Sequence, residues 1–362
     1  MRTSSIAAVI LATATGLAGC EEDDASAPAG AHTSSARAAP TPTKEPPEPP
    51  PPLAEREDLP NPDHVAKTLH DQREAMIARM IAMEVLHEDD EPALRAIFER
   101  SRILGQGNPA AVDHPMTRRE CLDRRRAAGV RDEPKPLCGA PFMTPIYDPA
   151  VQEKEDAKVC IDRYEFPNLP CDYPVTWVTA KEAIEICGVL GKRLCDAHEW
   201  EGACAGKVLP PERDYDWRGP RDSQSARHNA DREILWAYGQ KKQHDKCATT
   251  SHRSKRCATS SWGGCGSNTF PAGAFPECRS AFGVYDQHGN AAEHMLLPLK
   301  ESDLGAKGGT GVAEMKGSWF IFDHYEAHKD DCRWRAPSWH DDEGLRHANY
   351  HLGFRCCKDV GR

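Results

Sequence analysis

The sequence predicts an α+β, loop-rich domain held together by disulfides and preceded by a short helical segment. Three observations carry this. Fifteen cysteines in 362 residues are many for a reducing compartment and suit an oxidising one. From about Thr117 onward, cysteines alternate with Pro- and Gly-bearing loops and no internal repeat is visible. Within that stretch two helices announce themselves by local capping signals. The formal charge of −10 argues against a general nucleic-acid binder, which needs a basic surface to release counterions. The single long apolar run lies at the N-terminus, so a multi-span membrane protein is excluded.

The chain reads in five parts. Residues 1–19 carry Arg2, an apolar stretch from Ile6 to Leu17, and the ending Leu17-Ala18-Gly19-Cys20. The apolar part is too short to span a bilayer comfortably. It reads as a bacterial lipoprotein signal in which Cys20 is acylated; an ordinary secretory leader is the alternative, and both imply export. Residues 20–60 are a linker, acidic at first and then rich in proline, with Pro40, Pro42, Pro46, Pro47 and Pro49 to Pro52. Such a segment builds no hydrogen-bonded element and samples polyproline II, a semi-rigid spacer.

Residues 61–110 read as a helical hairpin. Asn61 is the expected cap and Pro62 the first helical position. Val65, Leu69, Met76, Met80 and Met83 fall on one stripe with Ile77 and Ile81, as core packing. A second helix follows Asp90, with Leu94, Ile97 and Phe98 on its apolar face, and His64, His70 and His87 read as surface residues. Residues 111–154 are a cysteine-bearing lead-in, and 155–360 form the main domain.

Inside that domain, Thr179-Ala-Lys-Glu182 and Asp196-Ala-His-Glu199 are capping boxes. Behind the first, Ala183, Ile186, Cys187 and Leu190 share a face, with Gly191 as the stop. Behind the second come Trp200, Ala203 and Cys204, with Gly206 as the stop. A cysteine on the apolar side suits a bridge better than a reactive thiolate, which needs exposure and nearby positive charge.

The order of six motifs resembles one family. Val159-Cys-Ile-Asp-Arg-Tyr-Glu165, Pro174-Val-Thr-Trp-Val178, and Gly191-Lys-Arg-Leu-Cys-Asp-Ala-His-Glu-Trp-Glu201 come first. Phe282-Gly-Val-Tyr-Asp-Gln-His-Gly-Asn290, Lys316-Gly-Ser-Trp319 and Leu352-Gly-Phe-Arg-Cys356 follow. Together they resemble the formylglycine-generating enzyme, or sulfatase-modifying factor, domain, with Cys195 in place of a usual Pro. The resemblance implies an irregular, C-type-lectin-like fold. It maps the family's two bridges onto Cys187–Cys356 and Cys204–Cys332, with Cys195–Cys357 as a further pair. Cys247, Cys257, Cys265 and Cys278 are expected to pair among themselves; a zinc site is the rival reading, though no CxxC pair is present. The resemblance also implies a structural calcium at Asp286, Gly289, Ala291 and Glu293, where two carboxylates and a tight turn supply hard oxygens. A capping Asp in a turn is the bland alternative.

The catalytic positions depart from the family. Active members place one Cys three residues after the Ser of Gly-Ser-Trp/Tyr and another five further on, and these thiolates hold copper. Here Ser318 is present, but the two positions read Ile321 and Glu326, neither a soft ligand for Cu(I). The tryptophan that lines the family's site is Ala292 here, and the following tryptophan of the motif is His294. Copper-dependent oxidation is therefore not expected, and Ser318 and His294 remain as pocket candidates. Iron is the other metal considered. Asp323, His324, His328, His340, His347 and His351 make the C-terminal loops His-rich, and His324 with His328 would align on a helix. The His-x-x-x-His-x-Glu motif of the family's iron-dependent relatives is absent from the N-terminal region. No Gly-x-Ser-x-Gly, Walker or dinucleotide motif occurs either.

The leading expectation is an exported lipoprotein of the cell envelope, anchored to the membrane by lipid, whose domain acts in binding or assembly. Its partner would be an envelope protein or a glycan, and its surface Trp319, Trp334, Arg335 and Trp339; the aromatics read equally as core, Trp319 above all. The alternatives are a non-haem iron oxygenase using His294, His324 and His328, and a genuine formylglycine-generating oxidase.

Overall fold

The computed structural model describes residues 59–257, 261–306 and 311–361. The leader, Cys20 and nearly all of the proline-rich linker lie outside the described residues. No helix among the described residues is long and apolar enough to cross a membrane.

The helices are α1 (Leu69–Ala82), α2 (Glu91–Arg100), α3 (Arg118–Ala127), α4 (Ala180–Val189), α5 (Ala197–Ala205), α6 (Pro211–Asp214) and α7 (Arg221–Asp231). The strands are β1 (Met143–Ile146), β2 (Val159–Asp162), β3 (Arg193–Leu194), β4 (Ala292–Leu296), β5 (Val312–Lys316), β6 (Asp342–Glu343), β7 (Leu352–Phe354) and β8 (Cys356–Asp359). They form two four-stranded sheets, ordered β1-β2-β8-β3 and β6-β5-β4-β7. All pairings are antiparallel except β4 with β7. One residue, Arg355, separates β7 in the second sheet from β8 in the first.

The capping boxes form as their spacing predicts. The Thr179 hydroxyl accepts the Glu182 N–H at 3.1 Å while Glu182 accepts the Thr179 N–H at 2.8 Å. Asp196 and Glu199 exchange the same pair of bonds at 2.8 and 3.0 Å. Both boxes rest on contacts three residues apart, so they needed nothing from the rest of the chain.

The first helix begins later than the sequence predicts. Its cap is Thr68, which accepts the Asp71 N–H at 3.0 Å, and not Asn61. Tertiary contacts hold the preceding residues: Arg118 donates to the His64 carbonyl and Arg119 pairs with Asp63. Val65 consequently lies off the helix and is 79% exposed. The remaining stripe is core, with Met76, Ile77, Met80 and Met83 buried in one cluster with Leu94, Phe98, Phe166, Ile186 and Phe354. The N-terminal helices are thus part of the main hydrophobic core.

A buried ionic contact ties them down. Asp172 accepts from Arg79 at 2.7 Å and from Arg118 at 2.7 Å, and from Gln106 at 2.9 Å. Burial works to raise the Asp172 pKa, but the two guanidinium groups outweigh it and hold the carboxyl well below the usual range.

Among the described residues, seven disulfides brace the loops. They join Cys187–Cys356, Cys195–Cys357, Cys204–Cys332, Cys247–Cys278 and Cys257–Cys265. Cys121–Cys171 and Cys138–Cys160 tie the lead-in to the domain. Cys187–Cys356 spans 169 residues, and long loops of this kind gain most from closure in the chain-entropy account.

Arg355 is fully buried at the crossing between sheets. It grips both oxygens of Glu293 on β4, at 2.6 and 2.5 Å, and donates to the carbonyls of Asp162 on β2 and Tyr285. Replacing it with an apolar residue leaves the Glu293 charge buried and unpaired. Arg355→Met is expected to cost about 3–5 kcal/mol in urea unfolding. A loss below about 1 kcal/mol would show that the sheets do not depend on this pair.

Candidate functional site

Beyond β5 the chain turns through Gly317, and two turn glycines set the local geometry. Gly317 has φ +74°, and a Cβ there would meet the Gln287 carbonyl at 2.9 Å. Gly289 has φ +81°, and its Cβ would meet the Ala248 carbonyl at 2.6 Å. Between them sits Ser318, fully buried. Its hydroxyl accepts the Gly289 N–H at 2.8 Å and donates toward Asp330 at 3.4 Å. Ser318 therefore joins two loops, and it does not face an open pocket.

Ile321 is buried in an apolar cluster with Trp177, Phe320, Phe322, Tyr350 and Leu352. Glu326 is exposed and pairs with Lys242 at 2.5 Å and with His244 at 3.1 Å. Lys242 first, and then His244, hold its carboxyl below the usual range. The two positions of the family's copper thiolates are thus a core side chain and a surface ion pair.

His294 is also buried, on β4, and donates from Nε2 to the Val178 carbonyl at 2.9 Å. Burial pulls its pKa down to about 4. It belongs to the core, not to a pocket. The His324–His328 pair does not form, because residues 324–328 are not helical. His324 is exposed beside Asp323, whereas the His328 ring stacks on Trp334 with centroids 4.7 Å apart. Among the described residues, two groups of three potential metal ligands lie close together: Cys204, His288 and Cys332, and Cys195, Glu199 and Cys357. Neither contains a histidine of the expected iron set, and every sulfur in them is in a disulfide. Cys247, Cys257, Cys265 and Cys278 are bridged as well, which leaves no thiolate there for zinc.

Of the expected calcium ligands, the two carboxylates are partly engaged. Asp286 accepts the Gly273 N–H through Oδ2 at 2.5 Å, and its Oδ1 is buried without a partner. Burial pushes Asp286 up to about 7. The Ala291 N–H goes to Glu165 at 2.7 Å. Arg355 bonds both oxygens of Glu293, and Trp200 also donates to Oε2 at 3.0 Å. Calcium takes carboxylate and backbone carbonyl oxygens; the unpartnered Asp286 Oδ1 is such an oxygen, whereas Glu293 is shared with Arg355 and Trp200. The guanidinium of Arg355 supplies the positive charge beside Glu293.

Of the four residues expected on a recognition surface, two are core. Trp319 is 3% exposed and stacks on His351 at 4.4 Å, and Arg335 is buried over the Tyr215 ring at 4.2 Å. Trp334 is half-buried, and Trp339 is 76% exposed. The sequence reading missed Tyr325, 60% exposed and 6.3 Å from the Trp319 ring, and the Lys242–Glu326–His244 group. It also missed Lys316, buried between Glu201 and Glu314. The pairings of Glu326 with His244 and of Lys316 with Glu201 span 82 and 115 residues, so no local signal marks them.

The imidazoles provide a check on this arrangement. His294 is buried and His114 and His351 are half-buried, and desolvation holds them at about 4, 3 and 3 respectively. An unperturbed histidine titrates near about 6.5. NMR of the ring nitrogens is expected to find all three neutral at about pH 5.5. A protonated His294 at that pH would mean that it faces solvent.

Residues 145–360 match the family described as the sulfatase-modifying factor enzyme 1-like domain. Among solved structures, PvdO from Pseudomonas aeruginosa is 16% identical, with a TM-score of 0.30, over 60% of this chain and 91% of that one. CarF is 14% identical, with a TM-score of 0.33, over 60% of this chain and 97% of that one. Scores this low carry no argument. No curated protein matches the chain. The family match, by contrast, takes in more than half of the residues and wholly encloses five of the seven disulfides. The chain therefore belongs to the sulfatase-modifying factor enzyme 1-like domain family, whose fold is C-type-lectin-like.

Proposed function

We propose that this protein is an exported lipoprotein of the cell envelope whose sulfatase-modifying-factor domain binds or assembles a partner and does not oxidise cysteine. One observation carries the chemical part. Every described cysteine, fourteen in all, is in a disulfide. Copper-dependent oxidation of the family's type needs thiolates to hold Cu(I). The positions that would carry them are Ile321, in the core, and Glu326, tied to Lys242. Exposed Tyr325 and Trp339 are suited to partner contact instead, since aromatic side chains bring large area at low entropy cost.

The test is direct. The protein, incubated with Cu(I), oxygen and a sulfatase-motif peptide, is expected to yield no aldehyde by mass spectrometry, and thiol titration in denaturant no free sulfhydryl from residues 59–361. Aldehyde formed at catalytic turnover would overturn the proposal.

Export and anchoring are supported by the leader ending in Leu17-Ala18-Gly19-Cys20 and by a disulfide count that suits an oxidising compartment. Labelled palmitate fed to cells is expected to appear in the protein, and to be lost in Cys20→Ala. Label retained in that variant would place the lipid elsewhere, and no label in either protein would overturn the anchor.

A further inference from the structure

Away from the 316–328 turn, a cavity of about 800 Å³ opens beyond the end of α3, against the loops around 245 and 275–279. That volume lies within the roughly 300–1,000 Å³ of small-molecule sites. Its wall is rich in charge, with Arg124, Arg131, Arg279 and Lys246 alongside Glu133, Asp245 and Glu277. None of these residues belongs to the family turn, so the inference stands or falls apart from the proposed function.

Most of the acids at this wall are matched within the protein. Glu277 pairs with Lys246 at 3.1 Å, and Glu133 with Lys135 at 3.5 Å. The arginines are not matched. None of Arg124, Arg131 and Arg279 has an ion-pair partner among the described residues. That is out of keeping with a chain in which Asp and Glu outnumber Lys and Arg, 56 to 46. Elsewhere in the fold Arg79, Arg193, Arg232 and Arg333 each hold a carboxylate.

A local cause covers only one of the three. Arg124 lies in the last turn of α3, where the carbonyl end of a helix favours a cation, and its guanidinium sits over the Phe275 ring at 4.5 Å. Arg131 and Arg279 lie outside any helix. Asp245 is the acid at the wall without an ion-pair partner among the described residues. Three unmatched positive charges thus stand against one unmatched negative charge. Such an excess, presented by forked donors, fits a doubly charged anion with three terminal oxygens. A phosphate monoester has that charge and those oxygens, whereas a carboxylate or a sulfate ester carries a single charge.

We propose that this cavity binds a phosphate monoester, its phosphoryl oxygens on Arg124, Arg131 and Arg279. Soluble sugar phosphates and the headgroup of a phosphatidate carry the same group, and the test separates these two sources.

The full chain is titrated by calorimetry with glucose 6-phosphate and with soluble dihexanoyl phosphatidate, against glucose 6-sulfate at equal ionic strength. At least one phosphate monoester is expected to saturate a single site, at least about tenfold tighter than the sulfate ester at about pH 7.5. The one that does so identifies the source. At about pH 5 the phosphate becomes a monoanion, and most of that preference is expected to disappear. Arg131→Gln combined with Arg279→Gln is expected to weaken binding at least about tenfold with the melting curve retained, because neither guanidinium holds another charged group. Asp245→Asn is expected to tighten it. The proposal is overturned if neither phosphate saturates, if the sulfate ester binds as tightly, or if the folded double variant binds normally.

Discussion

The buried pair between Arg355 and Glu293 is the contact on which the rest of this domain turns. It stands where the chain passes from one sheet to the other in a single residue, so its position is shared by both. Two buried charges are expensive, and only fixed geometry and full hydrogen bonding recover the cost. Arg355 meets that condition with a forked contact to Glu293 and two backbone carbonyls. The neighbourhood is nevertheless over-supplied with acid: Glu165, Asp286 and Glu293 lie near one guanidinium. Burial, together with Asp286 and Glu293, raises Glu165 well above the usual range, and burial brings Asp286 to about 7.

From this anchor the site region follows in steps. Fixing Glu293 and the Tyr285 carbonyl fixes the loop between them, and that loop presents the Gly289 N–H to Ser318. Ser318 in turn bonds Asp330, two residues before Cys332, whose sulfur is bridged to Cys204 on α5. The same turn that presents reactive thiols in active members of the family is here bonded to its surroundings at each step. Serine contributes as a connector, and the cysteine that follows contributes as a brace.

How much of this was legible depended on how local the cause was. The capping boxes at Thr179 and Asp196 were legible because cap and partner lie three residues apart. Asn61 and Pro62 carry the same kind of signal, yet Arg118 and Arg119, more than fifty residues away, hold that segment outside the helix. The burial of the methionine stripe was legible, whereas its union with Phe166 and Phe354 in one core was not. The site was read least well where spacing stood in for geometry. Ser318 and His294 are polar residues in a family motif, and polarity alone did not reveal that each is buried with a structural partner. Arg355 was visible as a motif letter, but its competition for Glu293 was visible only in three dimensions.

The histidine-rich loops show why residue type is weaker evidence than backbone. His324 and His328 would share a helix face only if the turn after Ile321 continued for another full turn. Instead the N–H of Asp323 is committed to the Thr249 carbonyl, outside any helical ladder. His328 is then carried onto the flat of Trp334 and His351 onto the flat of Trp319. Stacking of this kind is worth only about 0.5–1.5 kcal/mol per pair, so the rings alone would not resist a metal. The backbone does: converging two imidazoles on one ion requires giving up the Asp323 contact and moving a segment that ends at the Cys204–Cys332 bridge. The disulfide-braced loop path therefore holds His324 and His328 in separate settings, and the same path keeps Ile321 in the core.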